Sequence, residues 1–389
     1  MLTYYLIYIP IILLCVFYKA PQKRQDDVIK IWILAITLFG GLRWKTGYDW
    51  DTYFALFRDL DWGNFLSYSK YGDLSLQTIE PLYAFLNVLV KSIFGKYYVF
   101  NLLVCFFIHY SYYRFAKYHI PQCPIICFCF VELVLVAFFP VRQTLATAVL
   151  LWGFRYIKEQ KLFPYLVVVA LAFCIHRMSI VALPLYWVGK VRLNDAVIIP
   201  LFFSFVVIGK LVQNYVIMLS LVLGGQLGEL LNTYTETQSI ERTGIPITTI
   251  FLNCIFLGLY LYFRKKFRLK NDKWYNFCLN SFILFFGIMA IFAQGMGDMT
   301  RLISVFLPGH CLLFSSILIY SLRRNPTVLM KSNSKVVANR DKLTDTVCMF
   351  TIVFAFAYIL YKFATMFNDY YFEDACLPYR TIFDFSVLI

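Results

Sequence analysis

Residues 302–322 read LISVFLPGHCLLFSSILIYSL, a run of 21 residues without Asp, Glu, Lys or Arg. An α-helix rises about 1.5 Å per residue, so about 20 apolar residues cross the hydrocarbon core of a bilayer. This run therefore predicts a membrane-spanning helix. Similar runs bring the expected number of spans to about twelve, and they cover residues 2–18, 28–42, 97–113, 124–140, 141–157, 162–176, 177–189, 196–223, 246–263, 275–293 and 347–364.

Two parts of this pattern leave alternatives open. The runs 162–176 and 177–189 are short, and together they could form a single tilted helix instead of two. The run 196–223 is long enough to contain a break near Gly209 and Lys210. Both alternatives concern how helices are divided and leave the helical class unchanged.

The composition of the whole chain agrees with a membrane protein. Of its 389 residues, 60% are hydrophobic and 15% are charged, whereas soluble domains are roughly 45–50% apolar and about 25% charged. This composition excludes an ordinary soluble domain. We expect an all-α polytopic integral membrane protein in which residues 1–389 form a single transmembrane domain.

The net charge of +14 could indicate a nucleic-acid partner, but its distribution indicates a membrane topology. The basic loops 264–273 and 323–346 are expected in the cytoplasm by the positive-inside rule. In the loops 43–96 and 224–245 acidic residues match or outnumber basic ones, so we expect these loops outside and no nucleic-acid partner. This sorting requires residues 80–95, EPLYAFLNVLVKSIFG, to form a re-entrant or interfacial helix that does not span.

Residues 43–57 read RWKTGYDWDTYFALF and place two carboxylates, Asp49 and Asp51, among aromatic residues. A carboxylate can orient or deprotonate a hydroxyl group, and aromatic faces can pack on sugar rings. A simpler interpretation is that Asp51 caps a helix beginning at Thr52, while the aromatic residues form a belt at the membrane interface.

A histidine and several arginines lie at the same predicted outer ends of spans. Arg142 begins the helix RQTLATAVLLWGFRYI, whose N-terminal amides also favour an anion such as a phosphate; alternatively, Arg142 reaches to lipid headgroups. His176 and Arg177 lie at a turn between two short helices, where a histidine can equally be a structural hydrogen-bonding group. Asp298 and Arg301 lie on a glycine-rich turn and could simply pair with each other.

Five motifs in order cover nearly the whole chain: GLRWKTGYDWDTYFALF (41–57), EPLY (80–83), VRQTLATAVLLWGFRYI (141–157), LAFCIHRMSIVALPLY (171–186) and GDMTRLISVFLP (297–308). They resemble the EpsG family of bacterial membrane proteins, which is related to Wzy-type O-antigen and exopolysaccharide polymerases. The positions that match the family pattern are Arg43, Gly47, Asp49, Tyr53, Arg142, Gln143, His176 and Ser179. Tyr48 stands where threonine is usual and Trp50 where tyrosine is usual.

The resemblance implies a GT-C-like, metal-independent glycosyltransferase in the bacterial cytoplasmic (inner) membrane, with its active site facing the periplasm or exterior. Such an enzyme transfers a growing glycan from undecaprenyl diphosphate to the non-reducing end of a lipid-linked repeat unit. The expected partners are these lipid-linked oligosaccharide repeat units, membrane lipid and a chain-length-regulating membrane protein. Neither a cofactor nor a metal is expected.

The chemistry of this reaction assigns roles to the polar residues. A sugar diphosphate is already a good leaving group, so the main requirement is cations that hold the developing diphosphate charge. We expect Arg142 and Arg301 in this role, assisted by Arg43 or Arg177. The candidates for orienting or deprotonating the acceptor hydroxyl are His176, Asp49, Asp51 and Glu80. The candidates for sugar contacts are Tyr48, Trp50 and Tyr53.

Three other functions fit a polytopic membrane protein. A lipid-linked glycan ligase shares the architecture, and a membrane-bound acyltransferase also uses a histidine in a membrane cavity. A lipid-linked oligosaccharide transporter or flippase would place polar groups along a path through the midplane. Here Glu132 and Lys210 are the only charged residues predicted near the midplane, so the pattern favours chemistry at one face over transport.

Overall fold

The computed structural model describes residues 2–47, 49–67, 79–135, 142–223, 245–292, 302–323, 341–365 and 376–384. These residues form α-helices joined by short turns, and they contain no β-strand. The prediction of an all-α protein is therefore confirmed. Some predicted features lie outside the described residues, namely Tyr48, Asp298, Arg301 and most of the loops 224–245 and 323–346.

The helices in chain order are α1 (Leu2–Leu14), α2 (Gln22–Gly41), α3 (Trp50–Asp59), α4 (Pro81–Phe94), α5 (Tyr97–His119), α6 (Pro124–Leu135), α7 (Arg142–Lys158), α8 (Leu162–Phe173), α9 (Leu185–Val188), α10 (Asp195–Leu223), α11 (Ile247–Lys266), α12 (Lys273–Phe292), α13 (Ile303–Arg323) and α14 (Lys342–Thr365). Within the part of the chain that the structure describes, 4 helices can cross a membrane by length and composition: α11, α12, α13 and the Lys342–Lys362 part of α14. Further apolar helices are shorter. The count of about twelve spans stays a prediction.

The structure decides both open alternatives in the helix pattern. Residues 162–189 do not form one helix, because α8 ends at Phe173 and a 3₁₀ turn follows at Arg177–Ala182. His176 lies between them in an extended conformation, with φ −154° and ψ 117°. In contrast, α10 continues through Gly209. A Cβ atom there would lie 2.2 Å from the carbonyl oxygen of Ala290, so this glycine permits close packing against α12.

The segment 43–96 contains two short helices. α3 begins at Trp50, not at Thr52, and Asp49 precedes it with φ 57° and no side-chain capping bond. α4 has 14 residues, which corresponds to about 21 Å, whereas the hydrocarbon core is about 30 Å thick. That residues 80–95 do not span stays a prediction.

The chain divides into two compact units, and the first comprises Met1–Leu183 and Ile352–Ile389. Here α2 packs along α5, α5 packs against α7, and α7 against α8. His109 of α5 and Glu132 of α6 are both buried, with 2.7 Å between Nδ1 and Oε1. An ionisable residue within an apolar helix is costly unless it is paired. The structure therefore gives Glu132 a partner that sequence spacing did not reveal.

The second unit comprises Pro184–Thr351. Its core forms where α12 packs against α13 and α10. Arg264, near the end of α11, is buried and donates hydrogen bonds to Asp195, to the carbonyl oxygen of Leu193 and to Asn276. These bonds compensate for burying the guanidinium.

Substitution of Gly41 by alanine tests the packing of helices in the first unit. A Cβ atom at this position would lie 2.6 Å from the side chain of Leu102 on α5 and 2.7 Å from its Cα atom. Because backbone would have to move, overpacking should cost about 1–3 kcal/mol. We expect Gly41→Ala to lower the thermal unfolding temperature of the detergent-solubilised protein by several degrees.

The matched control is Gly258→Ala on α11, where an added Cβ would meet no neighbouring atom of the described residues within 4 Å. Alanine is more favourable than glycine in a helix by up to about 1 kcal/mol, so this variant should not lose stability. Equal losses in the two variants would contradict the packing of α2 on α5.

Candidate functional site

The buried carboxylate of Glu80 brings three separate parts of the first unit together. Its Oε2 accepts a hydrogen bond from Nη1 of Arg142 at 2.6 Å. Its Oε1 lies 3.3 Å from Nδ1 of His176 and also accepts the backbone N–H of Arg177 at 3.3 Å. Glu80 is only 5% exposed. We call Glu80, Arg142 and His176 the carboxylate cluster.

Local backbone structure explains why these groups meet. Glu80 precedes Pro81 at the start of α4, and its backbone is extended. The first amides of α4 have no partner within their own helix, and those of Leu82 and Tyr83 donate to the carbonyl oxygen of Cys174 at 2.9 and 3.4 Å. The turn after α8 therefore caps α4 through a carbonyl, while the side chain of Glu80 accepts an amide of that same turn, from Arg177.

Arg142 is held by aromatic rings as well as by Glu80. It is the first residue of α7, and its guanidinium carbon lies 5.8 Å from the ring centroid of Tyr53 and 5.9 Å from that of Tyr83. Such cation–π contacts fix the orientation of the guanidinium. The side chain of Arg142 is 27% exposed, so it can reach a ligand from this fixed position.

The environment of Glu80 keeps its carboxylate ionised. Glu80 lies outside the four candidate spans. Burial raises the pKa of Glu80. The hydrogen bond with His176, the charge of Arg142 and the backbone amide of Arg177 lower this pKa by more than burial raises it, so that it falls to about 2. A carboxylate with so low a pKa is a weak base. The geometry therefore favours Glu80 as the group that orients Arg142 and His176, rather than as the base.

His176 is the member of the cluster suited to accept a proton. When a carboxylate accepts a hydrogen bond from Nδ1–H of an imidazole, Nε2 carries the free lone pair. The 3.3 Å contact with Glu80 favours this tautomer. The His176 side chain is 18% exposed, which leaves it accessible to a substrate hydroxyl.

Arg43, predicted to assist with the diphosphate, is fully buried. Its Nη1 donates to the carbonyl oxygen of Thr46 at 3.2 Å. The C-terminal segment 376–384 pairs with this loop, since the amide of Trp44 donates to Arg380 at 2.9 Å and that of Ile382 to Leu42 at 3.0 Å. The burial of Arg43 favours a role in holding the loop before α3, and its contact with a diphosphate stays a prediction.

The other predicted residues of the 43–57 segment have different surroundings. Asp49 and Asp51 are exposed, and their side chains make no ion pair with Arg142 or His176 among the described residues. Trp50 is only 2% exposed and stacks on Phe54 with 5.0 Å between ring centroids. Its burial does not favour a sugar contact. Of the two aromatic candidates that the structure describes, Tyr53 is the one placed beside the carboxylate cluster.

Two features of the site were not assigned from the sequence. Tyr83 belongs to the EPLY motif, and its position three residues after Glu80 was the available signal. The C-terminal segment left no signal because its partners lie more than three hundred residues earlier in the chain.

Arg177 contacts the carboxylate cluster through its backbone amide, and its side chain is exposed. No group of three or more metal-binding side chains occurs in the part of the chain that the structure describes.

The low pKa of Glu80 predicts a pH-dependent contribution to stability. The pKa falls from 4.5 to about 2 in the folded protein, so the ionised carboxylate stabilises the fold above pH 4.5. This contribution corresponds to about 3 kcal/mol and is lost as the pH falls towards 2. We expect Glu80→Gln to lower the thermal unfolding temperature at neutral pH, with a difference from wild type that narrows below pH 4.5.

Glu159→Gln is the matched control, because Glu159 also accepts bonds from cations, Arg155 and Lys161, but at the exposed surface. Solvent screens such pairs, so its effect should be much smaller. A difference between Glu80→Gln and wild type that does not change with pH would contradict the ionised, paired state of Glu80.

Comparison with known proteins agrees with the resemblance of the motifs. The sequence model of the EpsG family matches residues 28–381. No curated protein and no solved structure matches the chain. The matched range includes every member of the carboxylate cluster and nearly the whole chain. The chain therefore belongs to the EpsG family.

Proposed function

We propose that this protein is a polysaccharide polymerase that transfers a growing glycan from undecaprenyl diphosphate to the non-reducing end of a lipid-linked repeat unit. Membership of the EpsG family supports a polymerase-like membrane protein. The single observation that carries the assignment of the site is the Glu80 carboxylate, which holds Arg142 and His176 in one place.

In the proposed reaction, the acceptor hydroxyl attacks the anomeric carbon of the donor sugar while the bond to the diphosphate breaks. The hydroxyl proton passes to Nε2 of His176, and the electron pair of the broken bond leaves with the diphosphate. Glu80 orients the imidazole and stabilises its protonated form, as the carboxylate does in a catalytic triad. General-base catalysis of this kind contributes about 10²–10⁴-fold.

Arg142 supplies the cation for the leaving group. A guanidinium has five N–H donors in a fixed plane, and the bond to Glu80 uses one of them. Nε is buried, so the remaining Nη donors are the ones suited to diphosphate oxygens, which accept bidentate hydrogen bonds from arginine. Arg301 remains proposed as the second cation for the diphosphate, with Arg43 or Arg177 assisting. Asp49 and Asp51 remain proposed candidates for orienting or deprotonating the acceptor hydroxyl.

We also propose on which side of the membrane the reaction takes place and what surrounds the protein there. The active site faces the periplasm or exterior of a bacterial inner-membrane protein of about twelve spans and GT-C-like architecture. Membrane lipid surrounds it, and a chain-length-regulating membrane protein is its proposed partner. The charge of the connecting loops supports this orientation through the positive-inside rule.

Substitution of the cluster tests the proposal in cells whose surface polysaccharide depends on this protein. We expect His176→Ala and Arg142→Ala each to reduce long glycan chains on a gel by about 10²-fold or more. The control is Arg155→Ala on the same helix, since Arg155 pairs with Glu159 at the surface. Each variant is first shown to reach wild-type abundance in the membrane.

Products distinguish a polymerase from a ligase. Loss of a polymerase leaves single repeat units attached to the final acceptor, whereas loss of a ligase leaves polymer on the carrier lipid. Full-length polymer from a protein with both His176→Ala and Arg142→Ala would contradict the proposed site.

A further inference from the structure

A cavity of about 290 Å³ lies beside α3 and is separate from the carboxylate cluster. The side chains of Phe54, Phe57 and Arg58 line it. These positions, spaced i, i+3 and i+4, share one face of a helix. Tyr53 lies at the edge of that face, does not line the cavity, and contacts Tyr83 and Arg142. α3 therefore presents one face to the carboxylate cluster and another to the cavity.

The apolar walls of the cavity are aromatic rings held by one another. The ring centroids of Trp44 and Phe54 are 5.4 Å apart, those of Phe54 and Tyr97 are 5.6 Å apart, and those of Phe57 and Tyr97 are 5.4 Å apart. Trp44, Phe57 and Tyr97 are buried. Aromatic faces carry negative charge density, so they suit the weakly positive C–H face of a sugar ring.

The polar lining of the cavity is cationic. Arg58, Lys91 and Lys96 all line it, and none of its lining residues is acidic. Asp59 pairs with Arg58 at the surface, with 2.7 Å between Oδ1 and Nε. The three lining cations outnumber the one described carboxylate that pairs with any of them, so the lining carries an excess of positive charge.

The two lysines differ in what their ammonium groups bind. Lys91 donates to the carbonyl oxygens of Arg58 and Leu60 at 2.6 and 2.8 Å, which caps the C-terminal end of α3. Lys91 is therefore fixed in place. Lys96 is exposed, and the described residues give its ammonium no hydrogen bond or ion pair. Lys96 is thus the cation that is available to a ligand.

We propose that this cavity binds a sugar residue that carries a carboxylate, such as a uronic acid. The aromatic walls pack against the ring, and Lys96, with Arg58 and Lys91 beside it, binds the carboxylate. Pockets of this size combine apolar walls with a few placed polar groups in the same way. The assignment of this sugar to the glycan under assembly rests on the proposed function. Binding of the sugar in the cavity does not require the transfer reaction.

The test is direct binding to the purified full-length protein by calorimetry, with trigalacturonate as the acidic probe and maltotriose as the neutral one. We expect trigalacturonate to bind at least 10-fold more tightly than maltotriose, and Lys96→Glu to weaken its binding at least 10-fold. Lys30→Glu makes the same change of charge at an exposed lysine outside the cavity, and it should leave the affinity unchanged. Phe54→Ala should weaken binding of both probes.

Three outcomes would overturn the inference, and the first two are equal affinity for the two probes and an unchanged affinity after Lys96→Glu. The third is that Lys96→Glu lowers only the amount of phosphatidylglycerol that the protein retains in native mass spectrometry, and not the binding of trigalacturonate. The cavity would then be a lipid-headgroup site. His176→Ala separates this inference from the proposed function, because it should abolish polymer and leave trigalacturonate binding intact. Binding by a wild-type protein that makes no polymer would refute the proposed function alone.

Discussion

A carboxylate removed from water destabilises a protein unless charged or hydrogen-bonding partners surround it. Glu80 meets this requirement with Arg142, His176 and the backbone amide of Arg177. Those partners lie at the start of α7 and in the turn after α8. The requirement therefore fixes where α4, α7 and α8 come together. Because the same bonds hold both the fold and the chemical groups, stability and activity are coupled at this position.

α3 links the carboxylate cluster to the rest of the first unit. Before α3, the loop that contains Arg43 is paired with the C-terminal segment 376–384. At the other end of α3, the ammonium of Lys91 binds the last carbonyl oxygens. The helix is thus held at both ends. Tyr53 can then contact Arg142 in a fixed geometry while the adjacent face of α3 forms a cavity wall.

The helical class was predictable because runs such as 302–322 allow few alternatives in a bilayer. Arg142 and His176 were recognisable as candidates because charged or polar residues are rare in such a chain. The role of Glu80 as their common partner was not, since it lies 62 residues before Arg142 and 96 before His176. No helical periodicity encodes contacts over such separations.

The surroundings of Arg43 and Trp50 show a second limit of sequence reasoning. Both stand in a motif that reads as a polar outer loop, yet Arg43 is fully buried and Trp50 is 2% exposed. The cause is tertiary: residues 376–384 pair with the Arg43 loop, and Trp44, Phe54 and Tyr97 surround Trp50. An aromatic residue in such a motif can therefore build the loop rather than contact the substrate.

The most direct test of the account is a double-mutant cycle on the transfer rate of the purified protein with a defined lipid-linked repeat unit. The variants are Glu80→Gln, His176→Ala and their combination. If Glu80 acts by orienting His176, its loss should matter little once His176 is gone. We therefore expect the double variant to be about as active as His176→Ala alone. Losses that multiply in the double variant would show that the two residues act independently and would contradict the carboxylate cluster as a single catalytic unit.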